Sequence, residues 1–115
     1  MPTVEANIQS TLGALVSGRC YPLVNTSATI TAPYITFQVI SQSALTVTAT
    51  ERKKMRVQVD LFATTYGAAR TLLASVEAAM EAATTFESSL IMSFDGYEEV
   101  SKEYRVTLDY YIWPL

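Results

Sequence analysis

The sequence predicts an α+β fold: an antiparallel β-sheet with two α-helices packed on one face, plus a long β-hairpin. Three observations carry this. Two segments, one near the N-terminus and one in the middle, space their apolar residues at helical intervals. Two others alternate apolar and polar residues with the period of a half-buried strand. Their order is helix, strands, helix, strands, which suits hairpins joined through a helix. A chain of 115 residues is long enough for one core and short for two, so residues 1–115 read as a single domain.

The first helix rests on Val4, Ile8, Leu12, Leu15 and Val16, which fall on one face, with Gly18 placed to stop it. "RCYP" reads as a short extended piece, because a residue before proline avoids the helical region. "LVNTSATITA" is polar and β-branched and reads as a loop or irregular edge. After Pro33, "YITFQVIS" alternates, with Ile35, Phe37 and Val39 on one face and Tyr34, Thr36 and Gln38 on the other. This strand is expected to end at about Ser41. "QSALTVTATERKK" then forms the far part of the hairpin, about a dozen residues long, which is longer than most connections.

The next strand starts at about Met55. Met55, Val57, Val59, Leu61 and Ala63 face the core, and Arg56, Gln58, Asp60 and Phe62 face away. Thr64 or Thr65 caps a helix running from Tyr66 to about Thr85. Its apolar stripe is Ala69, Leu72, Leu73, Val76, Ala79, Met80 and Ala83, and its alanines favour helix and close packing. "SLIMSF" looks like a buried strand. "EYRVTLDYYIW" alternates Tyr104, Val106, Leu108, Tyr110 and Ile112 against Arg105, Thr107, Asp109, Tyr111 and Trp113. Between these strands the turn falls either at Asp95-Gly96, a strong hairpin signal, or in "EEVSK" with Gly96 as a bulge.

Composition narrows the function. Half the residues are apolar and only 17% are charged. So few charges leave apolar surface on a small solitary protein, which points to self-association. The net charge of −3 argues against a nucleic-acid binder held by phosphate contacts. The sequence has no histidine, which removes the usual general base, the triad base and the commonest metal ligand together. Cys20 stands alone, so no internal disulfide or cysteine metal site is expected. The N-terminal stretch lacks the regions of a signal peptide, and no apolar run reaches a membrane span. A cytosolic setting is expected, with no membrane, metal or cofactor and no catalytic residue.

The polar side of the central strands needs a reading of its own. Asp60 and Asp109 could form a carboxylate pair of the glycosidase kind, and Arg56 and Arg105 could bind an anion. Alternating Arg, Gln, Asp and Thr is more simply a solvated or partner-facing sheet face, with opposite charges paired across strands. On that reading Arg56 and Gln58 are candidate assembly contacts. The run Glu51, Arg52, Lys53 and Lys54 is a soluble hairpin tip that can also reach a partner.

These segments, in this order, resemble the tail-completion family of long-tailed bacteriophages, the tail terminator or head–tail joining proteins. The likeness runs along nearly the whole chain. It is carried by Gly18, Arg19, Tyr21 and Pro22; by Pro33 and Tyr34 opening the second strand; by Val57, Gln58, Val59 and Asp60 running into Ala68, Ala69 and Arg70; and by Tyr104, Arg105, Asp109 and Trp113 at the close. The tip "ALTVTATERKK" departs from the family in lacking glycine.

The resemblance implies a non-enzymatic structural protein of a phage or prophage, assembled in the bacterial host cytoplasm. Such proteins form a ring, commonly hexameric, at the head-proximal end of the tail tube. The ring stops tube polymerisation and meets the head connector, and DNA passes through its lumen without specific binding. A mildly acidic lumen would let DNA slide where a basic one would hold it. The motif residues Arg19 and Tyr21 join the candidate assembly contacts. Two other readings stay open: a connector adaptor ring, and a small α+β ligand-binding domain with a pocket between helix and sheet.

Overall fold

The computed structural model describes residues 3–23, 31–47 and 50–114, with the side chains of 43–47, 50–53 and 114 left aside. Of the predicted loop or irregular edge at 23–32, residues 24–30 lie outside the described residues. Helix α1 spans Val4–Gly13. Thr3 caps it, its Oγ1 accepting the Ala6 N–H at 3.1 Å. The helix stops earlier than the apolar spacing suggests. The chain then tightens into turns in which the Val16 N–H donates to the Gly13 carbonyl and the Gly18 N–H returns to the same oxygen at 2.7 Å. Gly18 sits at φ +82°, where a side chain would be strained. Ile8, Leu12 and Val16 are nevertheless all buried, because the turns keep Val16 on the face that the helix began.

The five strands are β1 (Cys20–Pro22), β2 (Tyr34–Val47), β3 (Thr50–Ala63), β4 (Phe86–Glu98) and β5 (Glu103–Pro114). They lie in the order β1-β2-β3-β5-β4. The sheet is mixed, which corrects the wholly antiparallel expectation. β1 runs parallel to β2, with Cys20 beside Ile35, and all other pairs are antiparallel. A parallel pair cannot be joined by a tight turn, and positions 23–33 separate β1 from β2 in the sequence.

The hairpin differs from its prediction. β2 does not stop near Ser41 but continues through a bulge at Ile40 to Val47, which pairs with Thr50. The expected connection of about a dozen residues is therefore strand on both sides, with only positions 48–49 between. The β-branched residues Thr46, Val47 and Thr50 hold extended backbone, and flanking charges do not oppose it. β5 accompanies β3 only as far as the pair Met55–Ile112, and β1 flanks β2 only at Ile35–Phe37. The hairpin thus runs past the body of the sheet in a molecule 49 Å long and 27 Å wide.

Helix α2 spans Tyr66–Ala82, ending where Ala83 turns extended, three residues short of the predicted Thr85. Thr65 is the cap, its Oγ1 accepting the Ala68 N–H at 3.1 Å. Both helices cover one face of the sheet. Ala69, Leu72, Leu73, Val76 and Met80 of α2 pack with Val57, Val59 and Leu61 of β3 and with Val106, Leu108 and Ile112 of β5. α1 lies beside α2 and β1. This is the core the periodicities predicted.

The last hairpin resolves one open choice and overturns one reading. The turn lies in 99–102, with Lys102 at φ 56°, and Asp95-Gly96 is inside β4. Gly96 is not the bulge; the register shifts between Leu90 and Met92. Gly96 faces Arg105 across the strands, and a Cβ there would come within 3.1 Å of the guanidinium. "SLIMSF" is not buried: Ser89 through Phe94 are exposed, with Met92 and Phe94 each at 52%. The run sits on an edge strand, where no element among the described residues covers its outer side.

Candidate assembly surface

The helix-free face is built by the residues that alternation turns away from the core. On β3 these are Lys54, Arg56, Gln58, Asp60 and Phe62. Opposite them on β5 stand Tyr111, Asp109, Thr107 and Arg105. Arg56 forms a forked pair with Asp109, Nη2 to Oδ2 at 2.6 Å and Nε to Oδ1 at 3.3 Å. The Asp109 carboxylate holds the Arg56 guanidinium charged, above its ordinary range, first by the hydrogen bond and then by its charge. Asp60 accepts from the Thr107 hydroxyl at 2.6 Å and from the Gln58 amide at 3.0 Å. Both aspartates suggested as a catalytic pair are thus engaged by neighbours on the same face. The surface is a pre-ordered lattice of donors and acceptors, stiffened across strands.

Aromatic side chains flank this lattice. Tyr34 stacks on Phe62 with ring centroids 4.6 Å apart, and its hydroxyl donates to Glu103. Burial, followed by the Glu103 charge, pushes the Tyr34 phenol up to about 12. The Lys54 ammonium lies 3.9 Å from the centre of the Tyr111 ring. Trp113 donates to Glu87 at 2.7 Å. On the outer strand, Phe94 and Met92 stand beside Thr107 and Asp109 without cover.

The candidate contacts separate into three groups. Arg56 and Gln58 share the helix-free face, as alternation predicts. Lys54 joins them there, which corrects the reading of Glu51, Arg52, Lys53 and Lys54 as the hairpin tip: all four lie within β3, paired with Thr46 to Ser43 of β2. Tyr21 is half-buried on β1 beside Thr36, at the far side of the same face. Arg19 is elsewhere: its Nε donates to the Pro33 carbonyl at 3.0 Å and ties the end of the α1 turns to the start of β2. The side chains of Glu51, Arg52 and Lys53 lie outside the described ones.

Sequence reasoning missed the apolar edge: Leu90, Ile91, Met92 and Phe94. Its signal was present, since this run is apolar on both parities where a one-sided strand would alternate. Such a run suits a strand buried on both faces or one that waits for a partner. Nothing local distinguishes the two.

Among the described residues, no group of three or more acidic or cysteine side chains could hold a metal ion. No helix among them is long and apolar enough to cross a membrane.

The family described as "Tail completion protein gp17" matches residues 6–114. The chain belongs to this family. It is a structural component of a phage-type virion tail. Among solved structures, a chain from "Virion of native gene transfer agent (GTA) particle" superposes with a TM-score of 0.68 at 12% identity, covering 90% of this chain and 83% of that one. At that identity the likeness establishes the fold. No curated protein matches the sequence. The tail completion fold thus presents three surfaces that its own helices leave open: the polar lattice, the projecting hairpin and the apolar edge of β4.

Proposed function

We propose that this tail completion protein forms a ring, hexameric by the family resemblance, at the head-proximal end of a phage tail tube. There it stops tube polymerisation and joins the tail to the head connector, with DNA passing through the lumen. The role is mechanical, without catalysis, metal or cofactor. The observation that supports it best is the β4 edge, where Leu90, Ile91, Met92 and Phe94 stay exposed on a strand with one side unpaired. An edge of this kind left open in solution is a hazard, and proteins that assemble use it as an interface. A ring needs a patch that meets a different patch on the next subunit, and this sheet has two unlike edges.

Electron microscopy of tails made without the protein tests the proposal. Overlong tubes that fail to join heads are expected, with normal length and joining restored by adding the purified chain. Tails of normal length that join heads in its absence would overturn it.

A further inference from the structure

The charges of this chain are sorted along it. Residues 71–101 contain Glu77, Glu81, Glu87, Asp95, Glu98 and Glu99 and no lysine or arginine. The β3 end of the hairpin, 52–56, holds Arg52, Lys53, Lys54 and Arg56, four of the chain's 8 cations. The acidic group lies on the β4 side of the sheet; Lys54 and Arg56 sit at the root of the arm, against Tyr111 and Asp109 of β5, which leaves the positions of Arg52 and Lys53 on the projecting arm itself.

The acidic side is also concave. Between the C-terminal half of α2 and the first half of β4 lies a cleft of about 260 Å³, lined by Met80, Leu90, Ser88 and Tyr110, with Glu77 and Glu81 on its wall. A second cleft of about 260 Å³ shares Met80, Glu81 and Ser88 and continues past Phe86 to Glu87 and Trp113. Among the described residues neither Glu77 nor Glu81 has a salt-bridge partner. Both face Tyr110, whose phenol is pushed up to about 12, by burial first and by these two charges after it.

The arm lacks a support that the cleft could give. Beyond Ser43 and Lys54, among the described residues, its two strands pair only with each other. A lone two-stranded hairpin is marginal in water. Within one chain the arm leaves the sheet in line with β3, and β5 stands between β3 and β4. A second copy offers its cleft without that obstruction.

We infer that the acid-walled cleft between α2 and β4 receives the basic β2–β3 hairpin of a second copy of this chain. The inference rests on the ring reading and names its contact. Each subunit gives an arm on one side and accepts one on the other, which is the head-to-tail geometry that closes into a ring. Arg52 and Lys53 of the arm meet Glu77 and Glu81, and the arm covers Leu90. Opposite charges set the register and speed of docking, and the covered apolar surface holds it.

Charge reversal with rescue tests this in the full-length protein on isolated tails. The double variant Glu77→Lys, Glu81→Lys is expected to lower the copies bound per tail by about tenfold, since like charges then face each other. Arg52→Glu with Lys53→Glu is expected to do the same. Combining all four changes in one chain restores binding. Unchanged binding by the cleft variant, or no rescue by the fourfold variant when it folds, would overturn the inference. Melting of the free monomer is the second readout. Loss and rescue appearing there would mean that the arm fills its own cleft, which also overturns it. Rings seen at tail ends with the cleft variant would refute the contact and leave the ring standing. The absence of any ring from the unaltered chain would refute the ring reading itself.

Discussion

Cys20 makes the stability of this protein sensitive to alkali in a way that one substitution isolates. Its thiol is wholly buried beneath α1, beside Ile35 of β2. Burial raises its pKa from 9.0 to about 12. The neutral thiol is the form that the fold favours. Below pH 9 it is protonated in both folded and unfolded chains, and its contribution is constant. Between pH 9 and 12 the unfolded chain releases a proton that the folded chain keeps, so stability falls as pH rises. One group titrating this way costs about 1.4 kcal/mol by pH 10 and about 2 kcal/mol by pH 10.5. Tyr34 and Tyr110, each raised from 10.0 to about 12, add losses of the same sign above pH 10. The assay is urea unfolding at pH 8, 9, 10 and 10.5 for the wild type and Cys20→Ala. The alanine carries a constant packing cost but no proton, and the tyrosine losses are common to both chains. The gap between the two therefore narrows by about 1.4 kcal/mol from pH 8 to pH 10. Parallel curves would refute the reasoning, because they would mean that the thiol ionises as freely in the folded protein as outside it.

Three further outcomes follow from the same structure. Leu61→Ala removes a wholly buried side chain and is expected to cost about 2–5 kcal/mol, whereas Gln58→Ala on the opposite face costs under about 1 kcal/mol; equal urea midpoints would contradict the assignment of faces. Thr65→Ala deletes the acceptor for the Ala68 N–H and is expected to cost about 1 kcal/mol in the same assay, with no loss to Thr65→Ser. Replacing Arg52, Lys53 and Lys54 by alanine is expected to leave the melting temperature almost unchanged and to lower the yield of joined, infectious particles; normal infectivity or a large loss of stability would show that the arm is not an assembly contact.

Much of the fold is legible in the residues. The stripes at Leu72, Val76 and Met80, and the alternation at Val57, Val59 and Leu61, each have one periodicity that buries one face, so pattern alone fixes which side chains meet. The polar lattice follows from the same alternation, since Arg56 and Asp109 must point away from whatever Val57 and Leu108 face. The positions of the candidate contacts were legible in part. Arg56 and Gln58 share a face by parity; Lys54, expected at a hairpin tip, lies on the same strand, and Arg19, which rests on a motif without a periodicity behind it, braces the chain at Pro33. The long hairpin is legible in the sequence, but its strands run on through Val47 and from Thr50 where the charged run suggests a break, because extended backbone carries charged side chains into solvent without penalty.

By itself the sequence determined the elements and the inward and outward faces of most of them. These are local matters, set by spacing within a few residues. Strand order, the direction of β1 and the exposure of β4 were decided only by the tertiary structure. Leu90, Ile91, Met92 and Phe94 have the composition of a core strand, and they are exposed because β5 lies between β3 and β4, so that β4 ends the sheet. Neighbourhood in a sheet is a contest among distant segments for the same ladder of hydrogen bonds, and no stretch of chain carries the result within itself.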